Sequence, residues 1–157
     1  MSNVKVLSAS INHANTSGHE MEDIEGLTVT TMDLNAPSDL IVALTIPLFY
    51  VTGCSSGQDQ GVSFVIRYTQ NLIVIPPSSC PAIILGGYTF PYQQHANGRL
   101  PITLTAHISW EDLKGGDPAY ITRQRTVFAQ WQAWGNNVAA HIDVKSSLTV
   151  MVVERSQ

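Results

Sequence analysis

Between Pro101 and Trp110, the residues Ile102, Leu104, Ala106, Ile108 and Trp110 alternate with Thr103, Thr105, His107 and Ser109. A period of two puts the apolar set on one face of an extended chain and the polar set on the other, which is the pattern of a half-buried strand. Related runs cover Val4–Ile11, Leu27–Met32, Leu40–Ile46, Val62–Tyr68, Leu72–Ile75, Ala82–Leu85, Tyr120–Trp131, Val138–Ile142 and Leu148–Val153. Turn chemistry separates them: Asn35-Ala-Pro-Ser-Asp, Thr52-Gly-Cys-Ser-Ser-Gly, Ile75-Pro-Pro-Ser-Ser, Ala96-Asn-Gly and Lys114-Gly-Gly-Asp-Pro all favour sharp reversals. About ten short strands joined in this way predict an all-β sandwich or jelly roll. The one helix candidate is a short turn at Trp110-Glu-Asp-Leu-Lys.

Two strands break the half-buried rule. Leu40–Ile46 is apolar on both faces, and Leu148–Val153 shows the same two-sided character. A strand covered on one face only has no need of this, so a second subunit or a long loop is expected over the other face. Composition agrees, because 44% of the residues are apolar and only 13% are charged. So few charges leave much of the outside to uncharged polar groups or to a partner subunit, and this leans toward an oligomer. A monomer with a Ser/Thr/Asn/Gln-rich surface is the alternative. The 157 residues fit a single domain, 1–157, with a real core.

Several function classes find no support. A net charge of −4 and scattered Lys and Arg argue against nucleic acid. The N-terminal Met-Ser-Asn-Val-Lys-Val-Leu-Ser-Ala-Ser carries no apolar stretch long enough for a secretory signal, and no apolar run reaches membrane-span length. A soluble protein made in the cytoplasm, without membrane insertion, is therefore expected; any action outside the cell would require export or release by another route. Cys54 and Cys80 both sit in turn-like contexts and could pair in an oxidising space or stay reduced in the cytoplasm. The five histidines include no HxH or HExxH, so neither a metal nor another cofactor is expected. The acidic residues of Glu20-Met-Glu-Asp-Ile-Glu and Glu111-Asp read as loops without a calcium pattern. No nucleophile elbow, catalytic triad or phosphate loop is readable, so no enzyme is expected.

What remains is a β scaffold with aromatics beside polar groups at strand ends: Tyr50, Tyr88, Phe90, Tyr92, Trp131 and Trp134. An aromatic face packs on the apolar C–H patch of a sugar ring while Arg, Asn and Thr bond its hydroxyls. The competing reading places these rings in the core or an interface, Trp131 above all.

Three segments narrow the choice. They are Val6-Leu-Ser-Ala-Ser-Ile followed by Met21-Glu-Asp-Ile-Glu-Gly-Leu; Pro47-Leu-Phe-Tyr-Val-Thr-Gly; and Asn97-Gly-Arg-Leu-Pro-Ile-Thr-Leu-Thr-Ala-His-Ile, continuing through Gln130-Trp131 to Ala140-His-Ile-Asp with Ser146-Ser-Leu. In this order, from Val6 to Met151, the chain resembles the TNF-like fucose-binding lectin domain known from the N-terminus of a Burkholderia superlectin. The resemblance implies a TNF/C1q-like jelly-roll sandwich, homotrimeric, that binds fucosylated glycans at sites shared between subunits and needs no metal.

Carried over residue by residue, the resemblance gives the site as Tyr50 before the Thr-Gly turn and Arg99 in the Gly-Arg-x-Pro motif. A Thr-aromatic pair upstream matches Thr89 and Phe90, or Tyr88 and Thr89 in an ungapped alignment, and Asn97 stands where the family offers small hydroxyl residues. Two departures matter more. A family tyrosine falls on Ser63, and a second family arginine is absent where Trp134-Gly-Asn-Asn lies. An arginine grips hydroxyls with a charged fork, whereas Trp offers a stacking plane and one N–H. The segment between Phe64 and Tyr88 is also longer than the family's.

Overall fold

The computed structural model describes residues 3–55, 57–69, 80–90, 99–114 and 124–155. They form β1 (Val4–Ile11), β2 (Ala14–Thr16), β3 (Glu22–Thr30), β4 (Ser38–Thr52), β5 (Gly61–Tyr68), β6 (Ala82–Thr89), β7 (Leu100–Ile108), α1 (Trp110–Lys114), β8 (Thr126–Trp134), β9 (Ala139–Ile142) and β10 (Ser146–Glu154).

The strands make two antiparallel sheets. One, sheet A, runs β1-β10-β4 with β7 on the far side of β4, and β9 and β2 extend it from the second half of β4. The other, sheet B, runs β3-β8-β5-β6. With the short β2 and β9 set aside, first strand pairs with last, and each later strand pairs back toward the chain's other half. That order is a jelly roll, two interlocked Greek keys. The fold class is therefore an all-β jelly-roll sandwich.

Alternation places the core as the sequence predicts. Ile102, Leu104 and Ile108 of β7 and Leu40, Val42, Leu44 and Ile46 of β4 pack inward against Val62, Phe64 and Ile66 of β5 and Val127, Ala129, Trp131 and Ala133 of β8. Trp131 is 1% exposed and is a core ring. Phe49 meets Phe64 edge-on at 5.1 Å between centroids, which ties the two sheets together near one end.

One feature differs from the expectations, and β4 and the two cysteines add to them. The acidic segment read as a loop is in large part strand β3, in which Ile24, Leu27 and Val29 are the buried residues. Its apolar spacing opens from two to three because the pairing with β8 is irregular between Asp23 and Thr28, and this bulge hides the part of the strand before Leu27 from a period-two reading. β4 runs on through Pro47 to Thr52, and its pairing with β7 shifts between Ile46 and Phe49, where proline costs no ladder bond. Cys54 and Cys80 are buried and free, with no disulfide between them, and burial pushes both thiols up. The expected strand Leu72–Ile75 lies outside the described residues, as do the turns Ile75-Pro-Pro-Ser-Ser and Ala96-Asn-Gly. Among the described residues no helix is long and apolar enough to cross a membrane.

Candidate functional site

The end of β4, the starts of β5, β7 and β9, and the ends of β6 and β8 gather at one end of the sandwich. All described candidate residues lie there, on different faces.

On the outer face of sheet A, Tyr50 projects from β4 because its neighbours Phe49 and Val51 face the core. Its strand partner across the ladder is His141, and their rings stack at 4.7 Å with 16° between planes. Arg99 enters from the other side, one residue before Leu100, which pairs with Phe49. Its guanidinium carbon lies 4.6 Å from the Tyr50 ring centroid. The result is a row of imidazole, phenol and guanidinium across three neighbouring strands. Arg99 Nη1 also donates to Asp143, forming a 3.1 Å ion pair in which the side chains stay 50% and 39% exposed. At that exposure the pair contributes about 0–1 kcal/mol, and the cation–π contact adds about 0.5–1 kcal/mol. Geometry, more than stability, is what these contacts supply. His141 Nε2 shares a 3.0 Å hydrogen bond with Thr52. Burial first, and then the nearby His13, hold the His141 imidazole below its ordinary pKa, with Asp143 pulling the other way.

On the outer face of sheet B, Ser63 sits opposite Gly87 on β6 and Gln132 on β8, while Gly61 sits opposite Thr89 and Trp134. The Trp134 indole lies close over Gly61, where an added Cβ would come within 2.5 Å of its Cζ2. Glycine is thus what lets the indole lie down on the sheet. Together Trp134, Ser63, Gly87, Leu85 and Thr89 border a shallow trough of about 190 Å³.

Tyr88 and Phe90 belong to neither outer face. Tyr88 turns inward against Phe49 at 5.6 Å, and its hydroxyl donates to the Pro101 carbonyl at 2.6 Å. Phe90 is 2% exposed and is a core ring. In the open choice between Tyr88-Thr89 and Thr89-Phe90, the exposed member is Thr89 in both cases. Asn97 lies outside the described residues.

Sequence reasoning gave His141, Asp143, Thr52 and Gln60 no role in the site. Gln60, fully buried, exchanges bonds with Ser55 and donates to the Phe90 carbonyl at 2.7 Å, while its own carbonyl accepts from Phe90 N–H. It pins the loop after β4 to the end of β6, so both halves of the site share one support. His141 and Asp143 stand within the quoted Ala140-His-Ile-Asp segment. Their link to Arg99 and Tyr50 depends on β9 pairing with the end of β4, which no local pattern shows. Among the described residues, no group of His, Cys, Asp and Glu is arranged to hold a metal ion.

No protein-family model matches the chain, and no curated protein matches it. Among solved structures, the chain is similar to one of the Gx strain of infectious bursal disease virus, with 10% identity and a TM-score of 0.41 over 100% of this chain and 38% of that one. It is also similar to the VP2 subviral particle of that virus, with 9% identity and a TM-score of 0.37 over 97% of this chain and 41% of that one. The chain thus spans about two fifths of the structures it resembles. The jelly-roll assignment rests on the chain's own strand order.

Proposed function

We propose that this protein is a carbohydrate-binding lectin, without enzymatic activity, that recognises fucosylated glycans at sites between the subunits of a trimer. The observation that carries the reading is Arg99 held by Asp143 and laid over Tyr50. These are the two residues the family resemblance matches most directly. A forked donor beside an aromatic ring suits a sugar, which presents hydroxyls at its edge and C–H groups on its face.

The sharing between subunits has its own support. Arg99 and Tyr50 occupy the outer face of sheet A, whereas Ser63, Thr89 and Trp134 occupy the outer face of sheet B. Opposite faces of one sandwich cannot meet on one glycan, but halves from two neighbouring copies can. The far end of sheet A's outer face supplies a surface for assembly. There Val6, Met151 and Ile41 stand side by side across β1, β10 and β4, with Val6 59% and Ile41 45% exposed. The next row, Ser8, Thr149, Ala43 and Thr105, is small and flat. Such a face suits packing around a symmetry axis.

Replacing Arg99 by Ala removes a charged donor and is expected to weaken sugar binding by about 1.5–3 kcal/mol. Titration calorimetry on the folded variant reads this directly, and undiminished binding by a trimeric Arg99→Ala protein sinks the assignment. The ion pair itself favours a second reading. Arg99 is already engaged by Asp143, as in a trimeric jelly-roll structural or adhesion protein that has lost sugar binding. That protein would form trimers whose melting temperature ignores every sugar, since a ligand bound by the native state alone must raise it.

A further inference from the structure

The trough on sheet B differs chemically from the Arg99 half. Its borders are the Trp134 indole, the Ser63 and Thr89 hydroxyls, the Leu85 side chain and the glycine backbone of β6. Among the described residues no carboxylate, ammonium, guanidinium or imidazole lines it, and Tyr88, which also borders it, turns its phenol away to the Pro101 carbonyl. An uncharged lining gives no hold on a phosphate or a carboxylate. A plane beside two hydroxyls suits a neutral ring with one apolar face and a rim of hydroxyls, a pyranose. Its volume of about 190 Å³ lies below the roughly 300 Å³ at which sites for drug-sized ligands begin. The trough has room for about one ring.

The trough is also preformed. Gly61 lets the indole lie flat, and at Gly87 (φ +154°) an added Cβ would overlap the Val62 carbonyl, so the floor stays bare. Leu85, 66% exposed, supplies an apolar wall facing solvent.

We propose that the Trp134 trough is a subsite for a neutral pyranose next to the terminal sugar, so that the protein selects a fucosylated disaccharide or larger glycan over free fucose. This rests on the lectin reading for the terminal sugar. The residues around the trough add the second ring and set the preference among linkages.

Tryptophan fluorescence isolates the event. Trp110 and Trp131 are 6% and 1% exposed, which leaves the half-buried Trp134 as the indole a quencher can reach. The probes are L-fucose and a set of neutral fucosyl-hexose disaccharides differing in linkage, titrated calorimetrically and in acrylamide-quenching runs. The wild-type protein is expected to bind its preferred disaccharide roughly five- to tenfold more tightly than fucose, and only the disaccharide is expected to shield Trp134 from acrylamide. Trp134→Ala is expected to bring that ratio close to one. Trp134→Phe, which keeps a ring, and Thr89→Val, which removes an exposed hydroxyl without changing shape, are expected to fall between and keep the test open if Trp134→Ala folds poorly. A disaccharide preference that survives these changes, or equal shielding of Trp134 by fucose alone, overturns the subsite and leaves the lectin reading standing. If the wild-type protein binds neither probe, the lectin reading falls and the subsite with it. Loss of both sugars in Arg99→Ala, with the trough intact, supports the order of the two rings.

Discussion

The outer faces of the two sheets share one core and one set of loops, yet they are built in different ways. Sheet A's face is graded. An apolar row at one end gives way to small hydroxyl residues and then to the ion-paired, stacked row of Arg99, Tyr50 and His141. Sheet B's face is knit by polar side chains, with Arg67 donating to Gln130 at 2.9 Å and Gln130 donating to Asp23 at 2.8 Å, and it ends in an uncharged trough. An exposed apolar row wants a partner surface. A satisfied polar network does not. In the proposed trimer, sheet A would carry the assembly and sheet B would be met at its edge, where the trough and the neighbouring copy's Arg99 would come together.

The sharpest way to break this contrast is to charge the apolar row. Ile41→Asp places a carboxylate between Met151 and His107. It is expected to turn the assembly into monomers in sedimentation while leaving the melting temperature of the single chain little changed. Trimers that persist would move the interface elsewhere.

Next in size is a complementation between the two halves. Arg99→Ala spoils the sheet A half, and Ser63→Trp fills the trough from its floor. If each site takes one half from each of two copies, co-refolding the two variants leaves roughly a quarter of the sites with both halves intact and restores the disaccharide preference there. Halves acting within one chain would restore none, and calorimetric stoichiometry separates the two.

A smaller effect tests the support that both faces share. Gln60→Leu removes the side-chain bonds to the Ser55 N–H and carbonyl and to the Phe90 carbonyl. A loss of about 2–3 kcal/mol in urea unfolding is expected. An unchanged midpoint would mean that the loop after β4 is held by something else.

The smallest effects are those of pH, and they belong to sheet A alone. His141 is held below the ordinary value of 6.5, so the folded state resists its protonation. Its contribution to stability is present above that value and falls away as the solution becomes more acid. Between pH 7 and 5 the wild-type melting temperature should drop more than that of His141→Gln. A second acid step lies at the opposite end of the face. There Arg155 bridges Glu111 and Asp39. Hydrogen bonding to Arg155 brings Glu111 down to about 2. Burial works to raise Asp39, but bonds from His107, the Trp110 N–H and Arg155 outweigh it and leave the carboxyl below its ordinary value. These groups stabilise above the ordinary carboxylate range and lose that effect as pH falls toward 2, so Arg155→Ala should flatten stability there.

The same contrast shows what a sequence reveals. The alternation of β7, the two-sided apolarity of β4 and the motif around Arg99 are local, and they led to the fold and to the sheet A half. The bulge of β3 hid the part of the strand before Leu27 because the pairing is irregular between Asp23 and Thr28, so its buried residues lose the period of two. The inward turn of Tyr88 follows from Phe49 and Pro101, far along the chain. The Arg99–Asp143 pair joins residues 44 apart and needs β9 docked on β4. The trough is mostly what glycines omit, and an absence of side chains becomes a shape only once the register of β5, β6 and β8 is known.

The central claim is that Arg99, laid over Tyr50, holds a sugar in an assembled protein. A glycan array run in parallel with wild-type protein and Arg99→Ala, both at the mass of a trimer, tests it most directly. The account predicts fucosylated spots lit by the wild-type protein and dark with the variant. A dark array for the wild-type protein, or the same spots lit equally by both, would contradict it.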